Sequence, residues 1–332
     1  MKVLLTKPFF EQDLNYIQSR LQAGIEIIQP SQFNEAEIIQ LAGDADVLFG
    51  GLITENILNV AKNLKLIQIP WTGVDNLNYE LLNKFNLQIA NSHSNSGIVA
   101  EHAIALMFDA AKKISSHDRM MRKGEWNRPQ KDNSNKISPF SFKVQNAKIA
   151  FIGFGAIGHT IAQFLKGFDC EMMAFNRTGQ GNPVQNLTYF PVETLNQKIA
   201  EADIIFVTVA LTDTTRGMLN NAFFDSINPE SILVNISRGE VIDEEALFHF
   251  LKNQPGFTAA IDTWYKYPNA ANPQVLPSEK FAFHELENLI MSPHRAGMVK
   301  GELPHLDDAI ENLNRLFTHQ PLINLISLEQ RY

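Results

Sequence analysis

An arginine stands at the end of a strand-like apolar run in the second half of the chain. Arg238 follows the segment from Ser231 to Ser237 and precedes a glycine and a helix-like segment. Burying a guanidinium is costly unless it meets an anion or a dense hydrogen-bond network. The carboxyl ends of the strands are where a parallel α/β sheet binds its ligands. The position of Arg238 therefore predicts a site for an anion.

Three glycines follow another apolar strand and open a helix pattern. Gly153, Gly155 and Gly158 stand in the segment KIAFIGFGAIGHTIAQFL. In a dinucleotide-binding turn the first glycine permits a tight turn, the second lets the backbone approach a pyrophosphate, and the third allows close packing of helix on strand. The strand before, the helix after and the next strand, CEMMAFN, predict a bound dinucleotide. A plain tight turn is the alternative.

The residues after the strand CEMMAFN bear on the choice of dinucleotide. An NAD-binding protein usually has an acidic residue there for the ribose hydroxyls, whereas this chain has Asn176, Arg177 and Thr178. Without a carboxylate to repel a 2′-phosphate, Arg177 could clamp one. We therefore favour NADP over NAD. An Arg177 that points into solvent or stacks on adenine would leave NAD acceptable.

Composition narrows the class of protein. A length of 332 residues with 45% apolar residues predicts two domains. The net charge of -8 argues against nucleic acid and anionic membrane as partners. The single cysteine, Cys170, and an apolar run at the start too short for a signal peptide favour the cytoplasm.

Two sets of alternating strands and helices predict an α/β fold. The first set has strands in KVLLT, IEIIQ, DVLFGG and LKLIQIP, with helices near 12–23, 35–41 and 55–61. The second set has strands in KIAFIGFG, CEMMAFN, DIIFVTVA, SILVNIS, FTAAIDTW and NLIMSPH. We expect a long helix over 96–126, a loop over 127–141, and a last helix near 302–318 that returns to the first domain.

Several motifs together resemble those of the D-isomer specific 2-hydroxyacid dehydrogenases, in that family's order and spacing from about Trp71 to Gly297. They are TGVDNLN, NSGIVAEH, GFGAIG, VALTDTT, NISRGEVIDEEAL, AAIDTW and SPHRAG. The resemblance implies two doubly wound parallel-sheet domains: a flavodoxin-like substrate domain, residues 1–97 and 299–332, and a Rossmann-type dinucleotide domain, residues 98–298.

The resemblance also implies a chemistry for Arg238. The expected activity is an oxidoreductase that transfers a hydride between NAD(P)(H) and a 2-oxo acid or D-2-hydroxy acid, held in a cleft between the domains. Arg238 would hold the carboxylate and polarise the ketone, and His294 would supply the proton, since imidazole titrates near neutral pH. An interdomain salt bridge for Arg238 and a packing role for His294 are the alternatives.

Further residues are carried over from the family's motifs, and none of them implies a metal. Thr72, Gly73 and Asn95 are expected to contact the substrate, although a helix-capping role suits Asn95 nearly as well. Asp262 is expected near the nicotinamide carboxamide, with a strand-end hydrogen bond as the alternative. The expected cofactor contacts are Gly153, Gly155, Ala156, Ile157, Gly158, Asn176, Arg177, Thr178, Val209, Ala210, Thr215, Ile236, Ser237, Asp262 and Gly297.

One catalytic position departs from the family's pattern. The glutamate that pairs with the histidine is replaced by Tyr267, ahead of Pro268. A phenol can orient an imidazole but supplies no charge, and we therefore expect His294 to hold its proton less tightly and reduction to favour lower pH. Glu285 or Glu287 could replace the missing partner. The aromatic side chains Trp264, Tyr265 and Tyr267 either line the pocket or pack between domains.

Two other functions compete with the dehydrogenase. The first is a dinucleotide-sensing binding protein with little turnover, which Tyr267 favours and the retained Arg238 and His294 disfavour. The second is an oxidase of a very small acid such as formate, since some relatives that act on very small acids also lack the glutamate. The resemblance also predicts a homodimer through the region 112–142. The remaining histidines, His93 and His102 among them, are interpreted as structural or exposed.

Overall fold

The computed structural model describes residues 1–128 and 140–332, which form two compact units. The first unit consists of Met1–Asn95 and Val299–Tyr332, and the second of Ser96–Met298. The boundaries expected from the sequence were 97/98 and 298/299. The roles of the two units in binding substrate and dinucleotide stay predictions.

The first unit contains a five-stranded parallel sheet. Its strands are β1 (Lys2–Leu5), β2 (Glu26–Ile28), β3 (Val47–Phe49), β4 (Leu66–Gln68) and β5 (Gln88–Ala90). Their order in the sheet, β2-β1-β3-β4-β5, is the flavodoxin-like order. The predicted fold class of this unit is confirmed.

Helices cover both faces of this sheet. Two separate apolar clusters show this, since each combines side chains from one face of the sheet with side chains from the helices. The helices are α1 (Glu11–Gln18), α2 (Glu35–Ala42), α3 (Glu55–Val60), α4 (Tyr79–Phe85) and the last helix of the chain, Asp307–Phe317. Side chains of Asn34, Thr54 and Asn78 accept backbone N–H groups at the starts of α2, α3 and α4, and such caps favour helix formation there.

The second unit contains a seven-stranded parallel sheet. Its strands are β6 (Lys148–Ile152), β7 (Glu171–Asn176), β8 (Leu187–Pro191), β9 (Ile204–Val207), β10 (Ile232–Asn235), β11 (Thr258–Ile261) and β12 (Leu289–Met291). Their order is β12-β11-β10-β9-β6-β7-β8, and the chain changes direction of winding between β6 and β9. This is the Rossmann order with one added strand, and its switch point lies where dinucleotides bind.

Among the described residues of this unit, six α-helices accompany the sheet. They are α5 (Ser96–Lys112), α6 (Ile114–Met121), α7 (Ala156–Phe164), α8 (Leu195–Lys198), α9 (Asn221–Phe224) and α10 (Glu244–Asn253). Short 3₁₀ segments cover Leu165–Phe168, Val192–Thr194, Ile199–Glu201, Gly239–Val241, Phe283–Glu285 and, in the first unit, Pro304–Leu306. Central strands such as β9 and β10 are buried along their whole length, as expected of a sheet covered on both faces.

The long helix expected over 96–126 is wrong in its extent. The chain breaks at Lys113, whose φ of 56° is left-handed, and α5 and α6 lie on either side of it. The Asp109 carboxylate accepts the Ser115 backbone N–H at 2.7 Å, which stabilises the new start. Most of the loop expected over 127–141 lies outside the described residues.

Sequence analysis missed one strand in each sheet. β5 has three residues, and β8 is partly exposed along its length rather than continuously apolar. Neither segment shows the apolar run by which the other strands were recognised. Within residues 1–128 and 140–332, no helix has the length and apolarity to cross a membrane, and no group of three metal-binding side chains gathers.

Candidate active site

The glycine-rich turn begins at the end of β6. Gly153 has a φ of 83°, and a Cβ at this position would lie 2.6 Å from the Val209 Cα. The Gly153 carbonyl accepts the Thr208 hydroxyl at 2.6 Å. Both the left-handed backbone and the close approach to the end of β9 require glycine here.

The second glycine leaves open space at the start of α7. Gly155 is the N-cap of this helix and offers no capping side chain, and a Cβ there would meet nothing within 4 Å. The packing of the protein therefore does not require the glycine, and Gly155 and Ala156, at the start of the helix, are exposed. This cradle fits the pyrophosphate of a dinucleotide.

The third glycine has a different role from the expected one. A Cβ at Gly158 would lie 2.9 Å from Cδ2 of Phe154. The missing side chain thus makes room for an aromatic ring of the turn itself rather than for helix-on-strand packing. That ring packs on Phe151 of β6 and on Tyr189 of β8.

A compact turn follows β7, at the expected ribose end of the dinucleotide site. The Asn176 side-chain oxygen accepts the Gly179 and Thr178 N–H groups at 2.7 and 3.1 Å, and its amide donates to the Gln180 carbonyl at 2.8 Å. The Asn176 side chain is thereby occupied by its own turn. Arg177 and Thr178 are exposed on it.

The loop after β9 contains three further expected cofactor contacts. The Thr215 hydroxyl donates to the Ala210 carbonyl at 2.7 Å and accepts the Thr212 N–H at 2.8 Å. These bonds close the loop that starts at Val209. Ala210 is exposed, whereas Val209 is half-buried against the Gly153 turn.

The backbone of Arg238 is fixed by Asn235, a residue that sequence analysis did not single out. Asn235 is fully buried, and its oxygen accepts the Ser237 N–H and hydroxyl at 3.0 and 2.9 Å. Its amide donates to the Arg238 carbonyl at 3.0 Å, and the Arg238 guanidinium donates to the Ser237 carbonyl at 2.8 Å. Asn235 therefore fixes the backbone from which the Arg238 side chain extends. Gly239, which follows Arg238, packs against the backbone of Trp264.

Asp262, directly after β11, accepts hydrogen bonds from the loop that follows β12. This fully buried carboxylate accepts the Ser292 hydroxyl at 2.5 Å and the backbone N–H groups of Arg295 and Ala296 at 2.9 and 3.1 Å. His294 lies between these residues and has a left-handed φ of 56°. Asp262 therefore has the strand-end role that was the alternative expectation, and its contact with nicotinamide stays a prediction.

The environment of Asp262 keeps it ionised. Burial alone raises the pKa of a carboxyl group, but the hydrogen bonds from His102, Ser292, Arg295 and Ala296 outweigh burial and hold the pKa of Asp262 well below its usual range. A fixed negative charge thus lies under the backbone around His294.

Tyr267 lies beside His294, as the motif comparison predicted. The two rings have centroids 5.5 Å apart and planes inclined by 51°. The Tyr267 hydroxyl accepts the Trp264 N–H at 2.9 Å. Burial raises the pKa of the phenol, with the Trp264 hydrogen bond opposing it, and the phenol is therefore neutral at physiological pH and adds no charge beside His294.

The aromatic cluster does not behave as one group. Trp264 is buried, donates from Nε1 to the Ser292 carbonyl at 2.8 Å and packs on Phe283. Tyr265 stacks on the same ring and donates to the Ile242 carbonyl at 3.2 Å. These contacts of Trp264 and Tyr265 lie within the second unit, and the two expected roles for them stay predictions. Tyr267 differs, since 42% of it is exposed.

Two of the residues expected to contact the substrate meet within the first unit. The Thr72 hydroxyl donates to the Ser92 carbonyl at 2.8 Å and lies 3.1 Å from the Asn95 side-chain oxygen. Asn91 donates to the Thr72 carbonyl at 2.7 Å. These contacts fix the Thr72–Gly73 turn that follows β4, and Asn95 is a partner of that turn.

The interpretation of His102 as merely structural or exposed missed its contacts. Its Nε2 lies 3.0 Å from the Ser292 hydroxyl and 3.5 Å from the Asp262 carboxylate. No motif signal pointed to this, because the contact joins α5 to two strand ends more than 150 residues away along the chain.

In the second unit the structure therefore brings four functional groups to neighbouring strand ends. Arg238 follows β10, Asp262 and Tyr267 follow β11, and His294 follows β12, with the three strands paired in parallel. A fixed cation, a buried anion and an imidazole beside a neutral phenol can bind a small anion and transfer a proton to it.

Comparisons with known proteins agree with this geometry. A family model described as D-isomer specific 2-hydroxyacid dehydrogenase, NAD binding domain, matches residues 104–296. D-3-phosphoglycerate dehydrogenase of Archaeoglobus fulgidus is 27% identical over 304 residues, 90% of this chain and 54% of that protein. The chain thus spans about half the length of that relative.

A second relative is closer in length. Glyoxylate reductase of Pyrococcus furiosus is 26% identical over 300 residues, 88% of this chain and 85% of that protein. Among solved structures, a D-isomer specific 2-hydroxyacid dehydrogenase from Xanthobacter autotrophicus in complex with NADPH and MES matches with a TM-score of 0.78. The match has 18% identity and covers 100% of this chain and 99% of that chain, and it shows the shared fold.

Proposed function

The chain belongs to the D-isomer specific 2-hydroxyacid dehydrogenase family, whose model covers more than half of it, and from this premise we propose that it interconverts a 2-oxo acid and a D-2-hydroxy acid. The observation that carries the proposal is that Arg238, Tyr267 and His294 follow adjacent strands of one sheet. The Gly153–Gly158 turn follows β6 of the same sheet. The nicotinamide dinucleotide supplies the hydride for reduction when bound.

Arg238 binds the substrate in this proposal. Its guanidinium donates two parallel hydrogen bonds to the carboxylate and draws electron density from the adjacent ketone. The charge that develops on the ketone oxygen during reduction is stabilised by the same cation. Thr72, Gly73 and Asn95 in the first unit are proposed to add hydrogen bonds to the carboxylate.

His294 moves the proton. As an imidazolium it donates to the oxygen on which charge develops, and in the oxidising direction the neutral ring accepts the hydroxyl proton. Tyr267 holds the ring by contact and not by charge, since its phenol is neutral. Each reduction therefore consumes one proton at His294, which solvent restores.

The dinucleotide is proposed to bind along the Gly153–Gly158 turn with a preference for NADP over NAD. The open space at Gly155 supports the pyrophosphate position. The exposed Arg177 and Thr178, on a turn without a carboxylate, support contact with a 2′-phosphate. The remaining expected contacts, Ala156, Ile157, Ile236, Ser237, Asp262 and Gly297, stay proposals on the same footing.

A panel assay tests the proposed function. The purified chain is mixed with NADPH or NADH and with glyoxylate, pyruvate or a larger 2-oxo acid, and nicotinamide absorbance is followed. We expect turnover of at least one acid, with the D isomer as the product of every acid that gives a chiral hydroxy acid. Tight cofactor binding without turnover of any acid would favour the dinucleotide-sensing protein instead. Activity found only when formate is supplied with NADP+ or NAD+ would favour the small-acid oxidase.

We also propose a homodimer and a cytoplasmic location. Exposed apolar side chains at Ile114, Met121, Trp126 and Phe140 support the dimer, although part of the region 112–142 lies outside the described residues. Light scattering measures the mass directly, and a monomer at micromolar concentration would refute the dimer. The single, buried Cys170 supports a reducing compartment.

A further inference from the structure

His102 is a polar side chain in contact with the proposed catalytic machinery that has no role in it so far. It lies in α5, which packs against β10, β11 and β12. Its Nε2 is 3.0 Å from the Ser292 hydroxyl and 3.5 Å from the Asp262 carboxylate, and only 28% of its side chain is exposed.

The hydrogen bonds of this group have one possible direction. The Ser292 hydroxyl has a single proton, and it lies 2.5 Å from an oxygen of Asp262. An ionised carboxylate only accepts, and Ser292 therefore donates to Asp262. Since that proton is used, the Ser292 oxygen can only accept in its contact with His102. Nε2 of His102 is therefore the donor and carries a proton. The order is His102 to Ser292 to Asp262.

The end of this chain of bonds determines the backbone around His294. Asp262 also accepts the N–H groups of Arg295 and Ala296, which follow His294 directly. His294 itself has a left-handed φ of 56°. Such a conformation is unfavourable for a residue other than glycine and persists only when its surroundings hold it.

We propose that His102 is a positioning residue: by donating to Ser292 and thereby fixing the Asp262 carboxylate, it holds His294 in its left-handed conformation and aims the imidazole at the ketone oxygen. The proposal rests on the proposed function, in which His294 supplies the proton. Tyr267 contacts the His294 ring without adding charge, and the network constrains the backbone from which the imidazole projects.

The test compares two replacements of His102. His102→Gln keeps an amide donor at the end of the side chain, whereas His102→Leu keeps the bulk without a donor. We expect His102→Leu to lower kcat about 10-fold, because small displacements of a catalytic group have effects of this order or larger. KM for the 2-oxo acid should stay within about twofold, since Arg238 still binds the carboxylate. His102→Gln should restore most of kcat.

A second readout needs neither substrate nor cofactor. Amide hydrogen exchange at Arg295 and Ala296 should be faster in His102→Leu than in the wild type and slow again in His102→Gln. Ser292→Ala interrupts the same bonds at their middle and should reproduce the His102→Leu result. His249→Leu, on the exposed face of α10, is the matched control and should change neither readout.

The outcomes separate this inference from the proposed function. An inactive wild type would overturn the function, and the exchange rates would still report whether His102 holds the loop. An active wild type with unchanged kcat and exchange in His102→Leu would overturn the role of His102. An equal loss of kcat in His102→Gln and His102→Leu would do the same, because a hydrogen-bond donor would then not suffice.

Discussion

Two turns at strand ends of the second unit are organised by a single side chain each, but in opposite ways. After β7, the neutral Asn176 gathers N–H groups two and three residues ahead of it on an exposed turn. After β12, the N–H groups of Arg295 and Ala296 are gathered by the buried, ionised Asp262, which lies 33 and 34 residues earlier in the chain.

In the proposed function, the exposed turn after β7 selects the cofactor and the loop after β12 takes part in proton transfer. Hydrogen bonds in an exposed turn contribute about 0.5–1.5 kcal/mol each, and the turn after β7 can change its exposed residues without affecting the core. Breaking the surroundings of a buried charge costs about 3–5 kcal/mol, and the loop after β12 also depends on β11 and α5. Changes in the first turn should therefore alter preference, whereas changes around the second should alter rate and stability together.

Among changes in and around these two turns, the largest effect should come from His294, in the loop after β12. His294→Asn removes the proposed proton donor while keeping a side chain that tolerates a left-handed backbone. We expect kcat/KM for reduction to fall about 10³-fold, in the range of lost acid catalysis. Steady-state kinetics measure this, with His249→Asn as control. A loss below threefold would assign the proton transfer to another group.

Asp262→Asn should affect both rate and stability. An amide cannot accept all the donors that converge on Asp262, and its own NH₂ opposes one of them. We expect a loss of about 3 kcal/mol in the free energy of unfolding by urea and about 10²-fold in kcat. Asp225→Asn, at an exposed helix end, is the control. A stable, active variant would contradict the role given to the buried charge.

The stability difference between wild type and Asp262→Asn should also depend on pH. Because the folded pKa of Asp262 is lowered, its contribution is complete above the unfolded value of about 3.9 and is lost as pH falls toward the folded value. Urea unfolding at several pH values should show the gap narrowing below about pH 4. A gap that widens in acid would have the wrong sign.

Arg177 tests the exposed turn. Arg177→Ala removes the proposed partner of a 2′-phosphate, and we expect the ratio of kcat/KM for NADPH to that for NADH to fall about 10-fold. The melting temperature should not change, unlike that of Asp262→Asn. Lys166→Ala, which removes an exposed positive charge in the same unit, is the control. If Arg177→Ala and Lys166→Ala shift the ratio equally, the overall positive electrostatic potential, and not a specific contact of Arg177, selects the cofactor.

Tyr267→Glu should have the smallest effect. A carboxylate beside His294 favours the imidazolium, which is the form that donates in reduction. The alkaline fall of kcat/KM for reduction should move to higher pH by about half a unit, because the site is partly exposed to solvent. Tyr267→Phe should leave the pH profile in place. An unmoved profile in the glutamate variant would refute the expected weakness of proton binding.

The elements that local patterns encode were predicted correctly. The apolar runs of β6, β9 and β10 and the glycine turn before α7 are continuous in sequence, and both sheets have the expected class of order. Short or partly exposed strands such as β5 and β8 lack that pattern and were missed. The helix break at Lys113 depends on one left-handed residue, which composition does not reveal.

The candidate site shows the same limit. Arg238 and His294 were proposed from the sequence because they stand in motifs at strand ends. The hydrogen bonds that join His102, Ser292 and Asp262 were not predicted. These residues come close only when folding brings α5, β11 and β12 together. The side-chain role of Asn235 was also missed, although it stands inside a quoted motif, since a buried asparagine has many possible partners.

The most direct test of the central claim measures what Arg238 binds. Wild type and Arg238→Ala are saturated with cofactor and titrated with oxamate, a 2-oxo acid analogue that cannot be reduced, and kcat/KM is measured beside it. We expect kcat/KM to fall about 10³-fold and oxamate affinity to weaken at least 10-fold, because a charge-assisted, bidentate contact is lost. Values within twofold of wild type in both measurements would contradict the account.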